Sequence, residues 1–135
     1  MAILEVGLVS SRPSKRVDEP TAKELLSRFP HLADHACRQC GYGRFGDKII
    51  GASLPHLCEH LAIDLLVSEQ LAVGSRQLVA GNTVWLDKGQ RLAKVRLRLS
   101  AELLENAESA ICQAVETINE LMGRSWGSDD QSGVA

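Results

Sequence analysis

The chain has 135 residues, 44% of them hydrophobic, and a formal net charge of −2 from 15 basic and 17 acidic side chains. That length suits one domain with a core of its own, and the interspersed charges exclude both the basic field of a nucleic-acid binder and a single-sign recruiting tail. The opening Met1-Ala-Ile-Leu-Glu-Val-Gly-Leu-Val lacks a basic leader and a small-residue cleavage site, and the apolar runs fall far short of the ~20 residues of a membrane span. A cytoplasmic protein without nucleic-acid or membrane partners is expected.

Residues 3–9 alternate like a strand, and the polar stretch that follows to Pro20, with Pro13 inside it, reads as a loop. Thr21 with Glu24 three residues later predicts a capping box, opening a helix through Leu25, Leu26 and Phe29 that Pro30 interrupts. A second short helix is predicted over 31–39, ending at Gly41. Gly41-Tyr-Gly-Arg-Phe-Gly46 has the spacing of a dinucleotide-binding loop, yet it neither follows a strand nor opens a helix. Its glycines are assigned to a turn before a short strand over 47–50.

Ser53 is the predicted cap of a central helix, with Pro55 in its first turn and apolar residues continuing to about Val67. From Asn82 to Leu99 the pattern predicts a hairpin: a strand over 83–86, a turn at 87–89, then Ala93, Val95, Leu97 and Leu99 alternating with Lys94, Arg96 and Arg98. Ser100 is the predicted cap of a long helix with the apolar stripe Leu104, Ala107, Ile111, Val115, Ile118 and Met122. The polar, glycine-rich segment 123–135 is expected to be a disordered tail. The prediction is a single α+β domain over 1–122, a small, mostly antiparallel sheet with helices packed on one face.

The run Leu54-Pro-His-Leu-Cys-Glu-His-Leu-Ala-Ile-Asp-Leu-Leu places His56, Glu59 and His60 within one helical turn. At about 3.6 residues per turn, positions i, i+3 and i+4 share a face, so both imidazoles can reach one cation while the carboxylate reaches a water beside it. His, two residues, Glu, His is the order of the inverted zincin motif. The helix around the trio is apolar on nearly every side and so reads as buried, where polar groups are costly unless something satisfies them. Zinc would do so, with His56 and His60 as ligands and Glu59 as general base. The plain alternative is a set of hydrogen-bonded core residues or a helix contact in an oligomer. A third ligand must come from elsewhere, and the last helix offers acids. On its wheel Glu108 lies at the edge of the apolar stripe, Glu105 about sixty degrees further round, and Glu102 faces away. Periodicity favours Glu108.

In a cytosolic chain thiols stay reduced, and Cys58 and Cys112 on helix faces read as small core residues. Cys37-Arg-Gln-Cys40 has no second pair to complete a zinc knuckle and does not follow a strand of a βαβ unit. His31 and His35, spaced i, i+4 beside it, leave a separate His/Cys site open, although such residues more often cap or pack.

With these residues in view, the chain resembles the N-terminal domain of the cyanophycin synthetases, ligases that build a polyaspartate chain bearing arginine. Gly51-Ala-Ser-Leu-Pro-His-Leu-Cys-Glu-His-Leu-Ala-Ile-Asp-Leu65 is similar to that domain's segment containing His-x-x-Glu-His-x-Ala-Leu-Glu-Leu. Pro30-His-Leu-Ala-Asp-His-Ala-Cys37 looks like the Pro-x-Leu-x-Glu-His-x-Cys stretch lying before it. The two matches occur in the same order, and the resemblance spans most of the chain. In the larger family a strand and an acidic pair precede a helix ending in an Asn-containing turn; residues 95–121 look similar, and the pair falls nearest Leu104 and Glu105. That domain in turn resembles the pitrilysin and insulinase metallopeptidases.

The resemblance therefore favours Glu105 where periodicity favours Glu108. It implies a stand-alone zinc hydrolase cleaving a peptide or isopeptide bond, with His56, His60 and Glu105, or alternatively Glu108, as ligands and Glu59 as general base. The expected substrate is a peptide or amino-acid polymer. These 135 residues include no counterpart of the ATP-grasp and ligase domains, and Arg96-Leu-Arg-Leu-Ser100 replaces the acidic, aromatic-rich stretch before the last helix, so the expected substrate need not be cyanophycin. The competing expectation is a non-catalytic binding or assembly module of the same ancestry. A chain this short has a minimal cleft, so a homo-oligomer is the expected way to complete it.

Overall fold

The structure, a computed structural model, describes residues 1–10, 15–37, 43–74, 77–123 and 126–127. Strand β1 (Ala2–Ser10) pairs with a strand far downstream in the sequence: the eight-residue β5 (Leu92–Leu99), which runs antiparallel to it with Ala2 opposite Leu99 and Val9 opposite Leu92. The other side of β5 carries β4 (Ala80–Trp85), also antiparallel, with Gly81 opposite Leu97 and Thr83 opposite Val95. The short β6 (Trp126–Gly127) joins β1, giving the sheet order β4-β5-β1-β6. Strand alternation sends Leu8, Thr83, Val95, Leu97 and Leu99 to the buried face. The opposite face is open, and there Glu5 pairs with Lys94 at 3.6 Å and Arg96 at 3.3 Å, exposed contacts of little energetic weight. The architecture is α+β, as expected.

Helix α1 (Glu19–Arg28) buries Ala22 and Leu25. Helix α2 (Leu54–Ala72) packs on β4 and β5 and alongside α3 (Leu104–Met122), which packs on β1 and β6. Its Leu57, Cys58, Leu61, Ala62 and Leu66 are fully buried, each leucine worth roughly 1.5–3 kcal/mol of burial. Ala107, Ala110 and Ala114 of α3 are buried too, and small side chains of this kind let two helices approach closely. The stripe expected for α3 is the face it buries, apart from half-exposed Leu104. Among the described residues no helix is long and apolar enough to cross a membrane.

Several local expectations are corrected. Helix α1 starts before Thr21: the Asp18 side chain accepts from the Thr21 backbone N–H at 2.9 Å, and Pro20 fits the first turn, where a missing N–H costs nothing. The second helix, predicted over 31–39, is only a 3₁₀ turn, Pro30–Asp34, after which the chain extends into β2 (Ala36–Cys37), paired with β3 (Gly43–Arg44). Extension lets Cys37 bury where another helical turn would carry it away. Residues 38–42, including Cys40 and Gly41, lie outside the described residues.

The predicted strand over 47–50 is instead a 3₁₀ turn, Phe45–Asp47, and a loop; Phe45 and Ile49, four apart, are the residues that bury. Ser53 does cap α2, accepting from the His56 N–H at 3.3 Å, but the helix runs past Val67 to Ala72. Ser100 makes no side-chain cap bond, because a 3₁₀ turn, Ala101–Leu103, intervenes before α3. Cys58 is buried as expected, whereas Cys112 is exposed. Of the predicted tail, Gly123 closes α3 in a left-handed conformation at φ 70° and 126–127 form β6; the remainder lies outside the described residues.

Candidate metal centre

His56 and His60 sit one turn apart on α2, their ring centroids 4.9 Å from each other. Phe45 fixes both rings, stacked on His60 at 4.2 Å and edge-on to His56 at 5.3 Å. Phe45 is itself held by its backbone N–H, which donates to the His35 carbonyl at 2.8 Å. The next residue has to be small: a Cβ on Gly46 would stand 2.8 Å from the Ala33 carbonyl oxygen.

The chain entering β2 supplies the third donor. Cys37 is buried, and its Sγ lies 3.4 Å from His56 Nε2. Donor atoms of Cys37, His56 and His60 all fall within 4.8 Å of one another, the only such group of three among the described residues. One thiol and two imidazoles suit a borderline-soft cation such as zinc. The 3.4 Å edge between sulfur and nitrogen is close to the roughly 3.5 Å edge of a tetrahedron with Zn–S near 2.3 Å and Zn–N near 2.05 Å. Burial holds both imidazoles below their ordinary pKa, His60 at about 3, where the charges of His56 and His35 add to the burial. Both rings are therefore neutral at neutral pH, the form in which imidazole binds metal.

Glu59 is buried against β4. Its Oε1 accepts from the Thr83 hydroxyl at 2.8 Å, and its Oε2 stands 4.0 Å from His60 Nε2. Burial pushes its carboxyl up to about 7, with the Thr83 bond pulling the other way. Close approach of α2 to the sheet depends on Gly81, where a Cβ would meet Glu59 Cγ at 3.2 Å and the Arg96 carbonyl oxygen at 3.0 Å. His35, Cys37, Glu59, His60 and Asp64 all line an open cleft of about 1020 Å³.

Neither acid considered for the third place joins this group. Glu105 and Glu108 are exposed, because α3 turns Ala107, Ala110, Ile111 and Ala114 to its buried face. Glu102 accepts from Gln77 Nε2 at 2.8 Å. Sequence reasoning noticed His35 and Cys37 only as neighbours of a possible separate site. The available signal was their i, i+2 spacing, which puts both side chains on one side of an extended segment. His31, the other member of that pair, is exposed. Comparison of the chain with protein-family models, with curated proteins and with solved structures finds no match in any of the three.

Proposed function

We propose that this protein is a zinc-dependent hydrolase that cleaves a peptide or isopeptide bond, with Cys37, His56 and His60 as the metal ligands and Glu59 as the base. The observation that carries the reading is the convergence of those three donors, two of which, Cys37 and His60, line an open cleft together with the buried carboxylate of Glu59. This ligand set replaces Glu105 or Glu108 with a thiol. Zinc bound there would supply Lewis-acid polarisation of the scissile carbonyl and a more acidic water.

The remaining work falls to the chain. Thr83 holds Glu59 Oε1, which leaves Oε2 turned toward His60 and able to take a proton from a water between them. As the water oxygen bonds to the carbonyl carbon and the C–N bond breaks, that proton passes from Glu59 to the leaving nitrogen, yielding a carboxylic acid and an amine. The exposed apolar residues Val67, Leu71 and Leu78 on the same cleft offer a surface for the flanking chain of a substrate. They also favour the second reading, a binding or assembly module in which the cleft holds a partner without cleaving it.

A panel of peptides, isopeptides and amino-acid polymers distinguishes the two. The hydrolase reading expects cleavage that a chelator abolishes and zinc restores, and that Glu59→Gln loses while still holding zinc. Binding to the panel without turnover by the zinc-loaded wild type would overturn it in favour of the module.

A further inference from the structure

His35 lines the cleft, and the mechanism gives it no part. It is mostly buried, at 15% side-chain exposure, and both of its ring nitrogens are engaged. Nε2 lies 3.1 Å from Asp64 Oδ1, and Nδ1 lies 3.2 Å from Nδ1 of His60. Asp64, one turn beyond His60 on α2, is itself buried. The result is a chain of three side chains, Asp64 to His35 to His60, that ends on a residue of the metal-ligand group.

Hydrogen-bond polarity runs along this chain. A carboxylate only accepts, so His35 Nε2 carries the hydrogen that faces Asp64. In a neutral ring the other nitrogen then has a lone pair, and His35 Nδ1 accepts. With His35 neutral, the 3.2 Å contact puts the hydrogen on His60 Nδ1, which leaves His60 Nε2 with a lone pair. Nε2 is the nitrogen that stands 4.0 Å from Glu59 Oε2, on the side where the proposed reaction takes place.

We propose that His35, oriented by Asp64, is a positioning residue that holds His60 in its Nδ1-protonated form and aims Nε2 at the metal. The inference rests on the metal-site reading above. Metal-binding histidines commonly donate their second ring N–H to such a partner, and loss of the partner costs about 10–100-fold in metal affinity. Here the partner is a histidine backed by a carboxylate rather than a carboxylate alone. His35 itself does not join the donor group formed by Cys37, His56 and His60.

Long-range proton–nitrogen correlation spectra of the wild-type protein test the tautomers directly, in the metal-free and zinc-loaded states. The expected pattern is a proton on His60 Nδ1 and on His35 Nε2 in both states, with the zinc-induced nitrogen shift on His60 Nε2. A proton on His60 Nε2 in the metal-free protein, or zinc on the Nδ1 of His60 or His35, overturns the proposal. Zinc affinity by chelator competition is the second arm. His35→Ala and Asp64→Ala should each weaken zinc by about 10–100-fold, while Asp64→Asn, which keeps an acceptor oxygen, should recover much of the loss.

Wild-type affinity in both alanine variants would overturn the positioning role and leave the metal site standing. A wild type that binds no zinc would instead defeat the metal-site reading, and with it the aiming of Nε2, whatever the tautomers.

Discussion

The Thr83 hydroxyl donates to Glu59 Oε1 across 2.8 Å, joining the middle of α2 to the edge strand β4 at a point where both residues are buried. This bond fixes which oxygen of Glu59 is left facing His60. Thr83→Val keeps the shape of the side chain and removes the donor, leaving a buried carboxyl oxygen without that partner. The expected cost is about 1–3 kcal/mol, read as a lower midpoint in denaturant unfolding. Turnover should fall in the same variant because Glu59 is no longer held.

Gly81 governs the same contact from the backbone side. Gly81→Ala puts a methyl group 2.8 Å from Leu97 Cδ2 and 3.0 Å from the Arg96 carbonyl oxygen; the leucine tip can yield, but the carbonyl belongs to the neighbouring strand. Overpacking of this kind costs about 1–3 kcal/mol. Thermal unfolding should show a lower Tm, and Glu59, 3.2 Å from the new group, should be displaced with it.

Stability of the metal-free protein should depend on pH in two opposed ways. The folded pKa of His60, at about 3, lies below its ordinary 6.5, so the stability associated with its neutral form is present above about 6.5 and is lost as pH falls toward 3. The folded pKa of Glu59, at about 7, lies above its ordinary 4.5, so its contribution is complete below 4.5 and is lost as pH rises through 7, by at most about 3 kcal/mol. Denaturant titrations with chelator present should therefore show stability falling on the acid side and nearly level between pH 4.5 and 6.5. In Glu59→Gln the level region should become a rise with pH.

The thiols should separate by reactivity. Cys112 is exposed, whereas Cys58 is fully buried and its thiol is held far above its ordinary pKa by burial and by neighbouring Glu59. Alkylation followed by peptide mapping should modify Cys112 quickly in the folded protein and Cys58 only after unfolding. Added zinc should protect Cys37 and leave the Cys112 rate unchanged.

The parts legible in the sequence were those carried by local periodicity. Alternation identified β1 and the β4–β5 hairpin, Ser53 marked the start of α2, and the i, i+3, i+4 spacing brought His56, Glu59 and His60 to one turn. Register and long-range approach were not legible. Nothing local tells that Pro30–Asp34 stops after one 3₁₀ turn, yet that stop is what delivers His35 and Cys37 to α2. Wheel position ranked Glu105 and Glu108 by their distance from the apolar stripe of α3, but the burial of that stripe leaves both acids exposed. The resemblance to the synthetase domain was carried by residues 30–37 and 51–65 and assigned no donor to the first; the structure places Cys37 of the one against His56 of the other.

Zinc content of protein purified without added metal, compared across single substitutions, tests the ligand set most directly. The account predicts one zinc per chain in the wild type, in Glu59→Gln, in Glu105→Gln and in Glu108→Gln, with zinc lost from Cys37→Ala and His60→Ala. A metal-free wild type, or zinc retained in Cys37→Ala and lost from Glu105→Gln, would contradict it.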